Sequence, residues 1–277
     1  MQMVSRDFRR RVASSSLARL AVLPTRLAAV SRHNAGVART SARWLFTRRE
    51  HTNHTYDLSP LNLEHLAWWS ATVARAPVQE CRTWIAEVLG DQSLQEHAYA
   101  RAKSAGRRGL TDAKVKIGRR AGWYAVVRAL RPAHVVETGT DKGLGSLVIA
   151  AAILRNGTGQ LSSMDINPDA GFLISDKYAE VTTLSHGNSI ELISKLTKPV
   201  DLFIHDSDHS PAHESAELVA VEDRLTPSAL VLSDNSHISA ALSSWAESTG
   251  RTFTFFREEP EDHWYPGAGI GAAWYPS

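Results

Sequence analysis

The sequence predicts an α/β protein: a mostly parallel sheet with helices on both faces and an antiparallel last strand, preceded by a helical cap. Two observations carry this. From residue 116 onward short apolar runs alternate with helical stretches, the pattern of a parallel sheet covered on both sides. Directly behind the first run stand Gly139, Gly143 and Gly145, where a strand must turn into a helix through conformations that glycine adopts at least cost.

The chain opens on a basic arm. Residues 1–50 hold 11 Arg and no Lys, with Asp7 and Glu50 as the acids, for a net charge of +9. The whole chain carries +2, so the remainder carries −7. An Arg- and Ser-rich, acid-poor start suits a transit peptide, an interfacial helix or a nucleic-acid arm, or simply a poorly ordered extension, and residues 1–55 are assigned to such an arm. It lacks the apolar centre of a secretory signal. The acidic remainder argues against nucleic acid as the main substrate.

Residues 56–115 read as the helical cap. Ser59-Pro60 is an N-cap and first-turn pair, and Leu61, Leu63, Leu66, Ala67, Trp69 and Val73 follow at roughly helical intervals. Pro77 starts a second helix carrying Trp84, Ile85 and Val88 and stopping at Gly90, and a polar third helix spans Gln92 to about Ser104. In the main domain, 116–277, a helix over about Lys114–Leu130 ends at Pro132. Strands are predicted at His134–Glu137, Gln160–Asp165, Val181–Ser185, Leu202–His205, Leu230–Ser233, Thr252–Phe256 and Gly271–Tyr275, the last two as an antiparallel pair.

Composition limits the function classes. At 277 residues, 43% hydrophobic and 22% charged, the chain suits a soluble globular domain with a smaller attachment. No apolar run approaches the ~20 residues of a membrane-spanning helix. The single cysteine, Cys81, excludes an internal disulfide and points to a reducing compartment, hence the cytoplasm. The basic arm leaves organelle targeting or a membrane surface open. A homo-oligomer is compatible with these features.

The glycine turn points to a ligand, because ligands of open α/β sheets sit at the carboxyl ends of strands. Its spacing is Glu137-x-Gly139-x-x-x-Gly143-x-Gly145. A nicotinamide fingerprint would need a small third residue at position 148, where Val148 stands. Asp165 ends the second strand, 20 residues after Gly145, where a carboxylate can accept hydrogen bonds from ribose hydroxyls. Asn188 and Ser189 follow the third strand, though such residues also cap helices.

Two polar clusters belong to the same sheet edge. The fourth strand opens into Asp206-Ser-Asp-His209 and the fifth into Asp234-Asn235-Ser-His237. Oxygen ligands from Asp206, Asp234 and Asn235 would suit Mg²⁺, and His209 has the intrinsic pKa of a general base near neutrality. Each cluster alone also reads as a helix cap or a turn. His205 is expected inside the sheet–helix packing, and His213 and His237 are expected to be incidental. Arg119, Arg120 and Tyr124 could close the ligand pocket, and Trp264 and Tyr265 could line an acceptor site.

With these motifs in register, residues 116–277 resemble the Rossmann-like class I S-adenosylmethionine-dependent methyltransferases. They are similar to the metal-dependent catechol and caffeoyl-CoA O-methyltransferases and to the macrolide-sugar O-methyltransferases. The resemblance implies a methionine moiety over Gly139, Thr140, Gly143, Gly145 and Ser146, with Glu137 near its ammonium group. It further implies Asp165, Asn188, Ser189 and Asp206 around the rest of the cofactor, a divalent metal such as Mg²⁺ on Asp206, Asp234 and Asn235, His209 as catalytic base and a small-molecule hydroxyl as acceptor. The helical cap departs from those families. A metal-independent methyltransferase, a nicotinamide oxidoreductase and a non-catalytic S-adenosylmethionine-binding module are the rival readings.

Overall fold

The structure, a computed structural model, describes residues 18–47, 55–106, 112 and 114–276. The chain divides into two compact units, residues 1–48 with 262–264, and residues 49–261 with 265–277.

In the first unit, helices α1 (Ala18–Ala21) and α2 (Leu23–Thr47) occupy part of the arm expected to be poorly ordered. Ala, Leu and Arg are good helix formers, and Pro24 sits in the first turn where its missing N–H costs nothing. No side chain of α2 is buried. Arg43 pairs with Asp262 at 2.8 Å and Trp44 packs on Trp264. Residues 1–17 and 48–54 of the arm lie outside the described residues.

The second unit opens with the cap helices α3 (Pro60–Ala74), α4 (Val78–Leu89) and α5 (Gln92–Ser104), where the sequence placed them. Ser59 accepts from the Asn62 N–H, Asp91 caps α5, and Gly90 follows α4. Helix α6 runs Arg120–Leu130, starting later than the expected Lys114. Gly118 explains the delay: its φ of +51 is left-handed, and a Cβ there would crowd the Tyr56 carbonyl. The chain therefore cannot wind into a right-handed helix before that point. At the other end Arg131 caps α6 in the left-handed region, just before Pro132.

Seven strands form one sheet: β1 (His134–Thr138), β2 (Gln160–Asp165), β3 (Thr182–His186), β4 (Val200–His205), β5 (Leu225–Asp234), β6 (Thr252–Arg257) and β7 (Gly269–Trp274). Their order is β3-β2-β1-β4-β5-β7-β6. β1 to β5 pair in parallel, and β7 runs antiparallel to both its neighbours. This is the expected sheet, with strand ends shifted by up to five residues. Every residue of β1 is buried, as befits a central parallel strand covered on both faces.

The intervening helices are α7 (Leu144–Asn156), α8 (Ser189–Ser194), α9 (Pro211–Glu222) and α10 (Ala241–Ser248), with a 3₁₀ turn at Asp176–Val181. One apolar cluster joins the cap, α6 and α7 to one sheet face, with Trp123, Leu66 and Leu147 fully buried. A second gathers α9 and α10 on the other face around Phe203, Val231 and Leu218. No helix among the described residues is long and apolar enough to cross a membrane. The chain proceeds from β1 to β2 and β3 on one side and returns to β4 on the other, and this switch of direction across the sheet leaves a crevice at the carboxyl ends, the usual ligand position in such sheets.

Candidate active site

The glycine turn sits at the carboxyl end of β1, and its glycines do different work. Gly139 (φ +87) lies where β1 and β4 leave the sheet together; a Cβ there would overlap the Asp206 carbonyl oxygen. The Asp206 N–H in turn donates to the Thr138 carbonyl at 2.8 Å. Gly143 (φ +94) begins α7 in a left-handed conformation that any L side chain would strain. Gly145 lets α7 pack against the Glu137 carboxyl group and Trp123.

Two cavities open beside this turn. One, of about 510 Å³, is lined by Gly139, Asp141, Met164, Asp165, Ile166, Gly187, Asn188, Ser189, Asp206, Ser207, Asp208 and His213. The other, of about 460 Å³, touches Arg119, Arg120, Lys142, Asp234, Asn235 and Tyr265. Gly139, Asp141 and Asp206 line both, so the cavities meet at that point. Their size is ordinary for small-molecule sites.

Of the ten residues assigned to the cofactor from sequence, Gly139, Asp165, Asn188, Ser189 and Asp206 line the first cavity. Asp165 receives the Asp141 N–H on one oxygen and the Asn167 N–H on the other, both at 2.8 Å. Each oxygen keeps a second lone pair for a ligand hydroxyl. Asn188 also caps α8 through the Ile190 and Glu191 N–H groups.

Glu137, Thr140, Gly143, Gly145 and Ser146 line neither cavity. Ser146 and Ser163 donate to Glu137 beneath the turn, the latter at 2.7 Å, and Thr140 bonds Ser163 at 2.6 Å. Burial pushes the Glu137 carboxyl up to about 7, against the pull of the two serines and Arg120. Tyr124 is likewise buried, beside Arg128.

Behind the first cavity stands Glu217 of α9, a residue the sequence reading passed over. Its fully buried carboxylate is bonded by Thr138 (2.7 Å), His205 Nδ1 (2.7 Å), Ser207 (2.8 Å), His213 Nε2 (2.9 Å) and Ser189. Burial would raise it, yet His205 and the hydroxyl donors bring it down to about 2. His205 is inside the packing as expected, whereas His213 lines the cavity rather than being incidental. A signal was present: Glu214, Glu217, Leu218 and Val221 form one helical stripe, and all four are buried.

At the second cavity the clusters after β4 and β5 come together. Ligating atoms of Asp206, His209 and Asp234 lie within 4.8 Å of one another. Asn235, in the left-handed region (φ 55) that Asn tolerates, bonds His209 Nε2 through its side-chain amide at 2.9 Å. His209 Nε2 is 3.9 Å from Asp206, and burial lowers its pKa. Burial and the neighbouring Asp234 raise Asp206 well above the ordinary carboxylate range. Asp234 would also be raised by burial, but the Arg119 guanidinium overrides this and holds it at about 2.

Arg119 grips Asp234 through Nε and Nη2, one bond to each carboxylate oxygen, and approaches Glu258 at 3.3 Å. Arg120 stands 3.7 Å from Asp206. Mg²⁺ requires oxygen lone pairs directed at it in octahedral array. Here both Asp234 oxygens are bonded by the Arg119 guanidinium and Asp206 stands 3.7 Å from that of Arg120, and these fixed positive charges would repel a cation, so the expected set fits such an ion poorly. The first cavity does fit S-adenosylmethionine: Asp165 is poised for hydroxyls, Ile166 is an exposed apolar wall, and Gly139 keeps the floor clear.

Residues 136–236 match the family model of a methyltransferase domain. That match covers the glycine turn and the strand tips that carry Asp165, Asp206 and Asp234. The chain shares its fold with a putative O-methyltransferase from Klebsiella pneumoniae, at TM-score 0.53 and 15% identity over 70% of this chain and 94% of that one. An O-methyltransferase from Bacillus cereus, solved with S-adenosylhomocysteine, gives 0.51 and 15% over 70% and 99%. The O-methyltransferase TomG from Streptomyces achromogenes, involved in tomaymycin synthesis and solved with S-adenosylmethionine, gives 0.51 and 14% over 68% and 92%. A search of curated proteins gave no match.

Proposed function

We propose that this protein is an S-adenosylmethionine-dependent methyltransferase that acts on a hydroxyl group of a small-molecule acceptor, with His209 as general base. The observation that supports this most is the junction of the two cavities at Gly139, Asp141 and Asp206. A donor in the first cavity and an acceptor in the second would face each other across that junction. When bound, S-adenosylmethionine supplies a methyl group on a cationic sulfur.

The chain's own residues then orient and deprotonate. Asp165 accepts hydrogen bonds from hydroxyls of the donor, and Asn188 and Ser189 border its far end. The acceptor hydroxyl lies beside Asp206, and His209, whose pKa burial lowers, takes its proton on Nε2 in exchange for the Asn235 amide hydrogen bond. Orientation of the two reactants supplies a large share of the acceleration, since little covalent chemistry is asked of the protein. The single buried Cys81 supports a reducing, cytoplasmic setting.

Calorimetry with S-adenosylhomocysteine and with NAD, followed by methyl transfer from S-adenosylmethionine to a panel of hydroxyl compounds, tests this reading. Binding of S-adenosylhomocysteine alone and methylation of oxygen are expected. Binding of NAD, or transfer confined to nitrogen or carbon acceptors, would overturn it.

A further inference from the structure

We propose that the Arg119 and Arg120 guanidiniums together take the place of the divalent cation, Arg119 by closing off Asp234 and Arg120 by meeting the acceptor oxygen, so that this protein ionises its acceptor without a metal. The inference rests on the O-methylation reading above and deepens it. Three independent features of the second cavity carry it.

First, Arg119 is bidentate on Asp234, setting a fixed positive charge against both oxygens a metal would approach. Bidentate guanidinium–carboxylate pairs are geometrically specific and are shorter and stronger than neutral hydrogen bonds. The pair spans 115 residues of sequence and is buried at both ends. An incoming cation would have to displace the guanidinium into a dry interior, where an unpaired charge is not tolerated.

Second, the negative charge is already largely offset. Asp206, Asp234 and Glu258 face Arg119 and Arg120 within 4 Å. A divalent ion added to this group would leave it with excess positive charge beside two fixed guanidiniums. Third, Arg120 has a buried Nε–H without a hydrogen-bond partner, and its side chain lines the same cavity. Such a donor is suited to an oxygen that acquires negative charge. In the step this implies, the acceptor O–H bond breaks, its proton goes to His209, and the oxygen's developing charge is met by the Arg120 guanidinium.

The test reads metal binding and is independent of turnover. Mn²⁺ is titrated into the full-length protein, with and without S-adenosylhomocysteine, and free Mn²⁺ is followed by its electron paramagnetic resonance signal. The wild type is expected to leave that signal unattenuated at millimolar metal. Arg119→Met, which frees the Asp234 carboxylate, is expected to bind one equivalent. Arg119→Gln is read in the same way should Arg119→Met fail to fold. One equivalent bound by the wild type and lost in Asp234→Asn would overturn the proposal. So would a folded Arg119→Met that binds no Mn²⁺. Absence of S-adenosylhomocysteine binding in parallel calorimetry would instead count against the functional reading, leaving the metal result to stand by itself.

Discussion

Arg119, on the turn before α6, holds both carboxylate oxygens of Asp234 at the end of β5. The two residues tie the segment that enters the sheet to the strand where it reverses direction. Both are buried, and Glu258 shares the guanidinium. Breaking a buried pair by removing one partner strands the other charge, which typically costs about 3–5 kcal/mol. Asp234→Ala should lower the urea midpoint accordingly. Pairing it with Arg119→Met should recover part of the loss, and additive losses in that double-mutant cycle would show that the two side chains are not coupled.

On the proposed function Asp165 holds the donor's hydroxyls. Its neighbours Asp141 and Asn167 can turn their N–H groups to water if the carboxylate is lost. Asp165→Ala should weaken S-adenosylhomocysteine binding about 10- to 100-fold, the range of ~1.5–3 kcal/mol for hydrogen bonds to a charged group. Calorimetry measures this directly. Unchanged affinity would move the ribose contact elsewhere.

His209→Ala should keep cofactor affinity and lower the chemical rate, by ~10²–10⁴-fold for a lost general base. Residual activity should climb with pH as more acceptor ionises unaided. The assay is methyl transfer to the hydroxyl panel under single-turnover conditions. A variant with the wild-type rate would remove His209 from the reaction.

Two buried glutamates should shape the pH dependence of stability in opposite windows. Glu217 is held at about 2, below its ordinary 4.5. Its ionised form therefore stabilises the fold above pH 4.5, and that contribution is lost as pH falls through 2. Glu137 is raised to about 7 from 4.5. Its protonated form is favoured in the fold, so its contribution is full below pH 4.5 and is lost as pH rises through 7. Glu217→Gln should flatten the acid limb of stability. Glu137→Gln should instead remove the decline between pH 4.5 and 7, making the variant the more stable protein at pH 8 relative to its own value at pH 4. Thermal unfolding across pH 2–8 gives both curves, and parallel curves for wild type and variants would refute the assignment.

Residues 1–48 form a unit separate from the sheet. A protein lacking them should fold and bind S-adenosylhomocysteine with the affinity of the full chain. Circular dichroism and calorimetry check this, and loss of cooperative unfolding would place essential core residues in the arm.

The amino-acid sequence by itself determined the sheet, the position of the glycine turn and the strand tips that carry Asp165, Asp206 and Asp234. Those features follow from local periodicity and backbone chemistry: buried runs of about five residues, glycines where φ turns positive, and caps such as Ser59 and Asp91. The stripe of Glu214, Glu217, Leu218 and Val221 was equally local, and its meaning was legible once acids on a buried helix face were noticed. Only the tertiary structure decided what those side chains bind. Glu137 turned under α7 because Gly145 opened room for its carboxyl group, and Gly143 meets the left-handed conformation of the turn. Asp234 met Arg119 because the turn at Gly118 and the end of β5 converge across 115 residues. Spacing along a chain specifies which face a side chain occupies, whereas its partner depends on sheet order and register. Those are set by the packing of the whole core, which is why the carboxylates could be located from sequence but their guanidinium partner could not.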